Sequence, residues 1–231
     1  MSVTFTTNSL VKDIVNIAPK TSDIFKKYRI DFCCGGNTPL STAVSGKPVQ
    51  LDELVQELNN ANENADQSDD VAVWTNSSSE EIIQHIIERY HRPLDEELHA
   101  LSPYVTKVAR VHGGGHPELL KVQELFKELK QELLEHTGKE EATSFPHILT
   151  LEANPQIENK EEIIEEIREL EKEHDHAGDI LKQLREITND FTPPVDGCGT
   201  YRLVYKRLEM LEGDTFMHVH LENNILFPRY F

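Results

Sequence analysis

Residues 119–140, LLKVQELFKELKQELLEHTGKE, decide the fold class. Their apolar side chains recur in alternating steps of three and four, the spacing that lines one face of an α-helix. The same steps continue onto two ionisable residues, so that the buried face comprises Leu119, Val122, Phe126, Leu129, Leu133, His136 and Glu140. The stretch therefore predicts a long amphipathic helix that carries a histidine and a glutamate one turn apart on its buried face.

Three further segments have the same periodicity, and breaks rich in Gly and Pro separate the four. The breaks are GGGHP at 113–117, a weaker one near Pro155, and NDFTPPVDG at 189–197. Helices are predicted over 80–112, 117–152, 159–189 and 199–230. Four long helices joined by short loops favour an antiparallel four-helix bundle.

The first of these helices contains a start signal and two interruptions. Ser77 or Ser78, each with a glutamate three residues later, supplies a capping box. Pro93 and Pro103 lie inside the helix, where proline removes a backbone donor and clashes with the preceding turn, so a bend or break is expected.

The chain before the bundle is predicted to be a separate domain. Residues 1–58 contain short helical patterns, whereas 59–79 are rich in Asn, Asp and Ser and lack an apolar period. The predicted organisation is a small helical domain over 1–58, a linker over 59–79 and the bundle over 80–231. The fold class is all-α.

Composition excludes several classes of protein. With 23 basic and 41 acidic residues, the 231-residue chain has a formal net charge of −18, which disfavours nucleic acid as a partner. No stretch approaches the ~18 consecutive apolar residues of a membrane span. The three cysteines are too few for a disulfide scaffold and indicate a reducing compartment. A cytoplasmic protein is expected.

Ionisable residues interrupt the apolar face of all four long helices. They are His91, His136, Glu140, His174, His218 and Glu222. One histidine on an apolar face is more often a hydrogen-bonded core residue, but burying six ionisable groups is costly unless they share a partner. Measured from one end of an up-down bundle, the levels of the histidines differ by only about 8 Å at ~1.5 Å per residue. The six side chains are therefore predicted to form one cluster.

The same periodicity places other residues off these faces. His176 and His220 lie two residues from His174 and His218, and Glu141 lies beside Glu140, so all three should point elsewhere. Solvent exposure is expected for His85, His99, His116 and His147. His112 falls on the apolar face of the first helix and is predicted to be an outer-sphere or channel residue.

Imidazoles and carboxylates without thiolates suit iron or manganese better than a structural zinc ion. Two carboxylates can each bridge two metal ions while the four imidazoles divide two and two. With one bridging oxide or hydroxide, each octahedral ion keeps an open position for a small molecule such as oxygen, nitric oxide or peroxide. The residues therefore predict a pair of non-haem metal ions per chain, either iron or manganese.

Several stretches resemble the hemerythrin-type HHE motifs. They are RYHRPLDEEL (89–98), LEHTGKEEATSFP (134–146), EKEHDHAGDIL (171–181) and HVHLENNILFP (218–228). The segment KTSDIFKKYRIDFCCGG (20–36) resembles the small domain that precedes these motifs in the iron-sulfur cluster repair proteins, also called repair of iron centers proteins. SPYVTKVARVHGG and TPPVDGCGTYRLVY also match this family. The resemblance covers nearly the whole chain except the linker.

This resemblance implies a di-iron protein that helps to restore iron-sulfur clusters damaged by nitric oxide or oxidants, as an iron donor. The ligands of the family carry over onto the six residues above, and its paired cysteines onto Cys33 and Cys34. Damaged iron-sulfur proteins are the implied partners, with nitric oxide or oxygen as the small ligand. Pro93 follows His91 where other members carry polar residues, so access to the iron is expected to differ.

The cysteines have two interpretations. Backbone amides of the Gly-rich turn after Cys33 and Cys34 can stabilise a thiolate that engages iron or a client protein. Alternatively, the two residues are small core fillers. A bond between adjacent cysteines would be strained, so free thiols are expected. Cys198, at the start of the fourth helix, is predicted to be structural.

Three other functions remain open at this point. The di-iron site can reduce nitric oxide or peroxide as an enzyme, or bind or sense oxygen as hemerythrin-type proteins do. The third alternative is a helical interaction protein with zinc or no metal. A homodimer with the small domains exchanged or paired is compatible with the linker.

Overall fold

A computed structural model describes residues 3–63 and 74–231. Within these ranges the chain is helical, and its only extended pairing is an isolated bridge between Leu10 and Pro39. The predicted all-α class is confirmed. The chain divides into two compact units, which are Met1–Ile82 with Phe216–Phe231 and Ile83–Thr215. We call them the thiol unit and the bundle unit.

Between residues 3 and 63, the thiol unit contains four short helices. They are α1 (Val11–Ile17), α2 (Thr21–Lys27), α3 (Leu40–Ala43) and α4 (Leu51–Glu63). Phe25, Phe32 and Leu54 are fully or almost fully buried in its core, and Val219 from the C-terminal segment belongs to the same core. Helix α4 includes residues 59–63, which the sequence assigned to a linker, and residues 64–73 of that prediction lie outside the described residues.

The remaining helices match the four long segments predicted from the sequence. They are α5 (Ser79–Ile86), α6 (Arg92–His112), α7 (Glu118–Lys139), α8 (Phe145–Ala153), α9 (Lys160–Ile187) and α10 (Gly199–Leu221). None of the described helices is long and apolar enough to cross a membrane. In the bundle unit α7 packs against both α6 and α9. An ion pair between Arg207 and Glu97, at 2.7 Å, joins α10 to α6.

Three π-helical turns widen these helices. They are Ile87–His91, Glu140–Ser144 and Glu222–Leu226. A proline follows each turn by two residues, as Pro93, Pro146 and Pro228. Because proline lacks an N–H group and its ring clashes with the preceding carbonyl, a wider turn before it relieves the conflict. Three predicted ligands, His91, Glu140 and Glu222, lie at the edges of these turns, which are frequent at functional sites.

The first long helix begins with a capping box, and its two prolines have different effects. Ser78 Oγ accepts from the amide of Glu81 at 3.2 Å, and the Glu81 carboxylate accepts from the amide of Ser78 at 2.8 Å. This reciprocal pair confirms the capping box. The predicted interruption takes the form of a π turn before Pro93, whereas α6 continues across Pro103.

Candidate metal centre

The bundle unit brings four of the predicted ligands together. The Nε2 atoms of His91 and His136 lie 3.4 and 3.2 Å from the two carboxylate oxygens of Glu140. The Nε2 atoms of His136 and His174 are 2.9 Å apart. All four residues are buried, and Glu140 has no exposed surface. Interrupted apolar faces therefore identified residues that meet in the interior.

Two acidic residues outside the apolar faces orient these imidazoles. Glu141 lies 3.0 Å from Nδ1 of His91, and Glu173 lies 2.7 Å from Nδ1 of His136. Because an ionised carboxylate only accepts hydrogen bonds, each Nδ1 donates and each Nε2 keeps its lone pair. A carboxylate behind a histidine is the usual arrangement around a metal ligand, since it fixes the ring and raises its basicity.

Each orienting carboxylate is held by a cation. Arg92 contacts both oxygens of Glu141, at 3.2 and 2.7 Å. Lys139 lies 2.7 Å from Glu173. The pKa of Glu173 is lowered to about 2, mainly by its hydrogen bond to His136 and further by Lys139. Glu173 is thus anionic at neutral pH.

The roles of Glu141 and Glu173 were not predicted from the sequence. Glu141 lies off the ligand face, as predicted, but its side chain reaches across to a histidine on another helix. Their positions in the sequence could have indicated this role, because each is next to a predicted ligand: Glu141 follows Glu140 and Glu173 precedes His174. A carboxylate next to a ligand on a helix is turned by about 100° and can face a neighbouring helix.

The donor set fits a metal cation. Nε2 of His136 faces Nε2 of His174 and an oxygen of Glu140, and ligand atoms of the three residues lie within 4.8 Å of one another. Lone pairs on three converging atoms repel unless a cation or proton lies between them. A buried carboxylate also requires a compensating charge. Imidazole nitrogen with carboxylate oxygen suits iron, and no thiol belongs to this group.

The thiol unit contains the other two predicted ligands. His218 and Glu222 are one turn apart, with Nε2 of the imidazole 3.0 Å from a carboxylate oxygen, and both side chains are almost fully buried. Glu222 begins a π-helical turn. Each unit thus brings its own His-x-x-x-Glu pair together, His136 with Glu140 and His218 with Glu222.

The histidines predicted to lie outside the cluster differ in their exposure to solvent. His176 is half exposed and lies 3.7 Å from Glu128 and Glu132, as expected for a residue outside the buried face. His220 likewise points away from the ligand face, but it is buried: its Nδ1 lies 3.1 Å from the Phe32 carbonyl and its Nε2 2.8 Å from Asn16. Burial lowers the pKa of His220 to about 4, so this imidazole is neutral.

Other histidines confirm or correct their predictions. His99 is exposed, as expected, whereas His147 is partly buried, with its Nδ1 2.8 Å from Glu166. His112 lies at the end of α6, about 30 Å along the helix from His91 at 1.5 Å per residue, so the prediction of an outer-sphere or channel role is wrong. His112 instead contacts Cys198, with Nε2 3.2 Å from the sulfur.

The loop that contains Cys33 and Cys34 folds around Asp31. One Asp31 oxygen accepts hydrogen bonds from the amides of Cys33, Cys34 and Gly35 at 3.0–3.1 Å, and from the Cys33 thiol at 3.3 Å. The side-chain amide of Asn224 donates to the Cys33 carbonyl at 2.8 Å. The C-terminal segment of the thiol unit therefore anchors this loop.

The free state of the paired cysteines is as predicted, but other predictions for the thiols are wrong. Cys33 and Cys34 are free, as expected, and Cys33 is buried. The pKa of Cys33 is raised well above its usual value, first by a hydrogen bond with Cys34, then by burial and the charge of Asp31. The expectation that loop amides stabilise a thiolate is wrong, because those amides bind Asp31. Cys198 is exposed, which does not fit a structural role.

Comparison with known families places both parts of the chain. Residues 82–230 match the hemerythrin HHE cation binding domain, and residues 7–62 match a domain of unknown function, DUF542. The iron-sulfur cluster repair protein ScdA of Staphylococcus haemolyticus is 41% identical over 225 residues, 97% of this chain and 99% of that protein.

Relatives with lower identity are also matched over most of their length. The iron-sulfur cluster repair protein YtfE of Escherichia coli O81 is 36% identical over 91% of each chain. A probable iron-sulfur cluster repair protein of Haemophilus influenzae is 35% identical over 91% of each chain. The HHE model covers most of this chain, and the full-length matches include the cysteine loop. The chain belongs to the iron-sulfur cluster repair family with a hemerythrin HHE domain.

Proposed function

We propose that this protein holds two iron ions and donates iron to iron-sulfur clusters damaged by nitric oxide or oxidants. The observation that carries the proposal is the buried group of His91, His136, Glu140 and His174, whose imidazoles are oriented by carboxylates. Relatives at 35–41% identity are named as iron-sulfur cluster repair proteins, which supports the repair role.

The proposed ligand set comprises the six residues predicted from the sequence. His218 and Glu222 complete the centre, since they form a second buried His-x-x-x-Glu pair. The residues that would hold the two ions are the four histidines together with Glu140 and Glu222, which would supply the nitrogen and oxygen donors that suit iron. The bound iron supplies an exchangeable ferrous ion and an open coordination position. Glu141 and Glu173 keep the Nε2 lone pairs of His91 and His136 directed at the ions.

Cys33 and Cys34 are proposed to act in iron transfer or in contact with the damaged client. One oxygen of Asp31 and the two sulfurs lie within 4.8 Å of one another, which is a three-donor group for a metal ion. The raised pKa of Cys33 keeps the thiol protonated, so capture of an ion releases a proton. A buried, protonated thiol resists oxidation until an ion arrives.

The test uses an aconitase inactivated by loss of cluster iron. The iron-loaded full-length protein is added anaerobically with a chelator that traps free iron, and recovered aconitase activity is measured. Recovery is expected with the wild type, little or none with His174→Ala, and much less with Cys33→Ala/Cys34→Ala. Full recovery with the double cysteine variant would contradict the role of the thiols. Equal recovery with His174→Ala would contradict donation from the bundle.

The competing functions give different results. Nitric oxide or peroxide reduction requires repeated turnover with an electron donor, whereas iron donation ends after the bound iron is used. Oxygen binding or sensing predicts a stable, reversible adduct that is indifferent to loss of Cys33 and Cys34. The domain boundaries at 58 and 80, a homodimer and a cytoplasmic location remain predictions.

A further inference from the structure

A surface pocket of about 360 Å³ reaches a proposed iron ligand in the bundle unit. Its polar wall residues are His91, Arg92, Asp95, Thr137 and Glu141, and its small wall residues are Gly138 and Ala142. His91 is itself almost fully buried, with 1% of its side chain exposed, so the pocket brings solvent to the edge of a buried imidazole. The pocket lies wholly within residues 91–142.

The chemistry of this wall suits a hydrated cation. Glu141 and Asp95 contribute carboxylates and Thr137 contributes a hydroxyl oxygen, which are ligands for hard cations. Arg92 counters the negative charge of this wall, because it binds both oxygens of Glu141. Its side chain is 63% exposed to solvent. Glu141 also accepts from Nδ1 of His91, so one carboxylate links the rim of the pocket to the ligand.

We propose that this pocket is the route by which a ferrous ion enters and leaves the His91 side of the centre, with the Arg92–Glu141 ion pair as its gate. The inference rests on the proposed di-iron function and adds the exchange route. With the pair closed, Glu141 is neutralised and holds the His91 ring. When Arg92 moves into solvent, the Glu141 charge can attract a passing cation and the ring is less constrained.

The exchange is a ligand substitution without electron transfer. The ion leaves as Fe²⁺, the electron pairs that bound it stay on His91 Nε2 and Glu140, and water or acceptor oxygens take their places on the ion. A small chelator that carries carboxylates or sulfonates can receive the ion at the pocket mouth and compete for Arg92.

The test measures how fast ferrous protein, loaded anaerobically with iron, loses iron to the coloured chelator ferrozine. Arg92→Gln is expected to accelerate loss of about one of the two ions roughly tenfold, a change typical of outer-sphere partners. Arg207→Gln is the matched control, since it removes an arginine with two 2.7 Å contacts to Glu97 elsewhere in the bundle unit. The control should release iron at the wild-type rate.

A second pair of variants fills the pocket. A Cβ at Gly138 would meet no atom within 4 Å, so Gly138→Ala is tolerated and Gly138→Phe projects a ring over the mouth. Gly138→Phe is expected to slow release at least tenfold, and Gly138→Ala to change it less than twofold. If Gly138→Phe does not fold, Ala142→Leu blocks the same wall.

The outcomes separate this inference from the proposed function. Wild-type release rates in iron-loaded Arg92→Gln, together with wild-type rates in an occluding variant, would overturn the gate and leave the di-iron assignment intact. Equal acceleration by Arg207→Gln would also overturn it, because the effect would then be general loosening. A wild type that binds no iron would overturn the proposed function and this inference together.

Discussion

Glu173 accepts a hydrogen bond from Nδ1 of His136 at 2.7 Å, and both residues lie in the bundle unit. Glu141 has the same relationship to His91 at 3.0 Å. Each carboxylate is in turn paired with a cation, Lys139 for Glu173 and Arg92 for Glu141. Each of these two imidazoles therefore donates to a carboxylate that is paired with a cation. This arrangement directs both Nε2 atoms towards Glu140.

Removing the charge of an orienting carboxylate should weaken metal binding. Glu173→Gln keeps the shape of the side chain but lowers the basicity of His136, so affinity for ferrous iron is expected to fall about 10–100-fold. Competition with a chelator of known affinity measures the change. Glu128→Gln is the control, because Glu128 is partly exposed and lies beside His176. Equal affinities in the two variants would contradict the orienting role.

Two neighbouring histidines should differ sharply in their importance for iron. His174→Ala removes a buried imidazole 2.9 Å from His136 and is expected to reduce bound iron from two ions to one or fewer. His176→Ala removes a half-exposed imidazole on the other side of the same helix and should leave iron content unchanged. Iron and protein are quantified in the same anaerobic samples. Loss of iron from His176→Ala alone would reverse the assignment.

Asn224 should control access to Cys33. Its side-chain amide donates to the Cys33 carbonyl at 2.8 Å, so Asn224→Ala releases the loop from the C-terminal segment. The thiol of Cys33 is expected to react with a disulfide reagent at least fivefold faster, because it becomes more exposed. Cys198 is an internal control, since it is exposed in the folded protein. An unchanged rate for Cys33 would show that the loop holds without Asn224.

The ion pair between Arg185 and Glu212 should matter for stability. The Arg185 guanidinium donates from Nε at 2.8 Å and also from Nη2 to the carboxylate of Glu212, which is 1% exposed. Arg185→Met strands a buried charge, so the free energy of unfolding should fall by about 3–5 kcal/mol in urea titrations of the apo protein.

Two comparisons test the origin of that loss. Arg185→Met/Glu212→Leu should recover much of the stability, because both charges are then absent. Arg207→Gln breaks the more exposed pair with Glu97 and should cost about 1 kcal/mol or less. A loss of equal size at the two sites would show that burial is not the cause.

Much of the fold and the ligand set could be predicted because both depend on periodicity. Leucine at the position of His136 or His174 would continue an apolar face. Histidine at these positions therefore predicted a partner in the interior that the polar residues share. The π turn before Pro93 was less predictable, since a proline inside a helix indicates strain but not whether the helix bends, breaks or widens. A proline two residues after a ligand segment is the signal that would have found it.

Residues whose side chains contact a neighbouring helix from outside the apolar face could not be predicted from the periodic pattern. Glu141 and Glu173 lie next to ligands in sequence, but their partners are on other helices, and only tertiary packing reveals them. The thiolate interpretation of Cys33 was wrong because a Gly-rich turn does not show what its amides bind. Asp31, two residues earlier, is the residue that takes these amides, as aspartate often does in turns.

The central claim is that six side chains hold two iron ions. Its most direct test is iron analysis combined with Mössbauer spectroscopy on protein prepared anaerobically. The account predicts about two irons per chain with high-spin, nitrogen- and oxygen-coordinated spectra, and loss of signal in Glu140→Ala. Fewer than two irons in fully loaded wild-type protein, zinc in their place, or an undiminished signal in Glu140→Ala would contradict it.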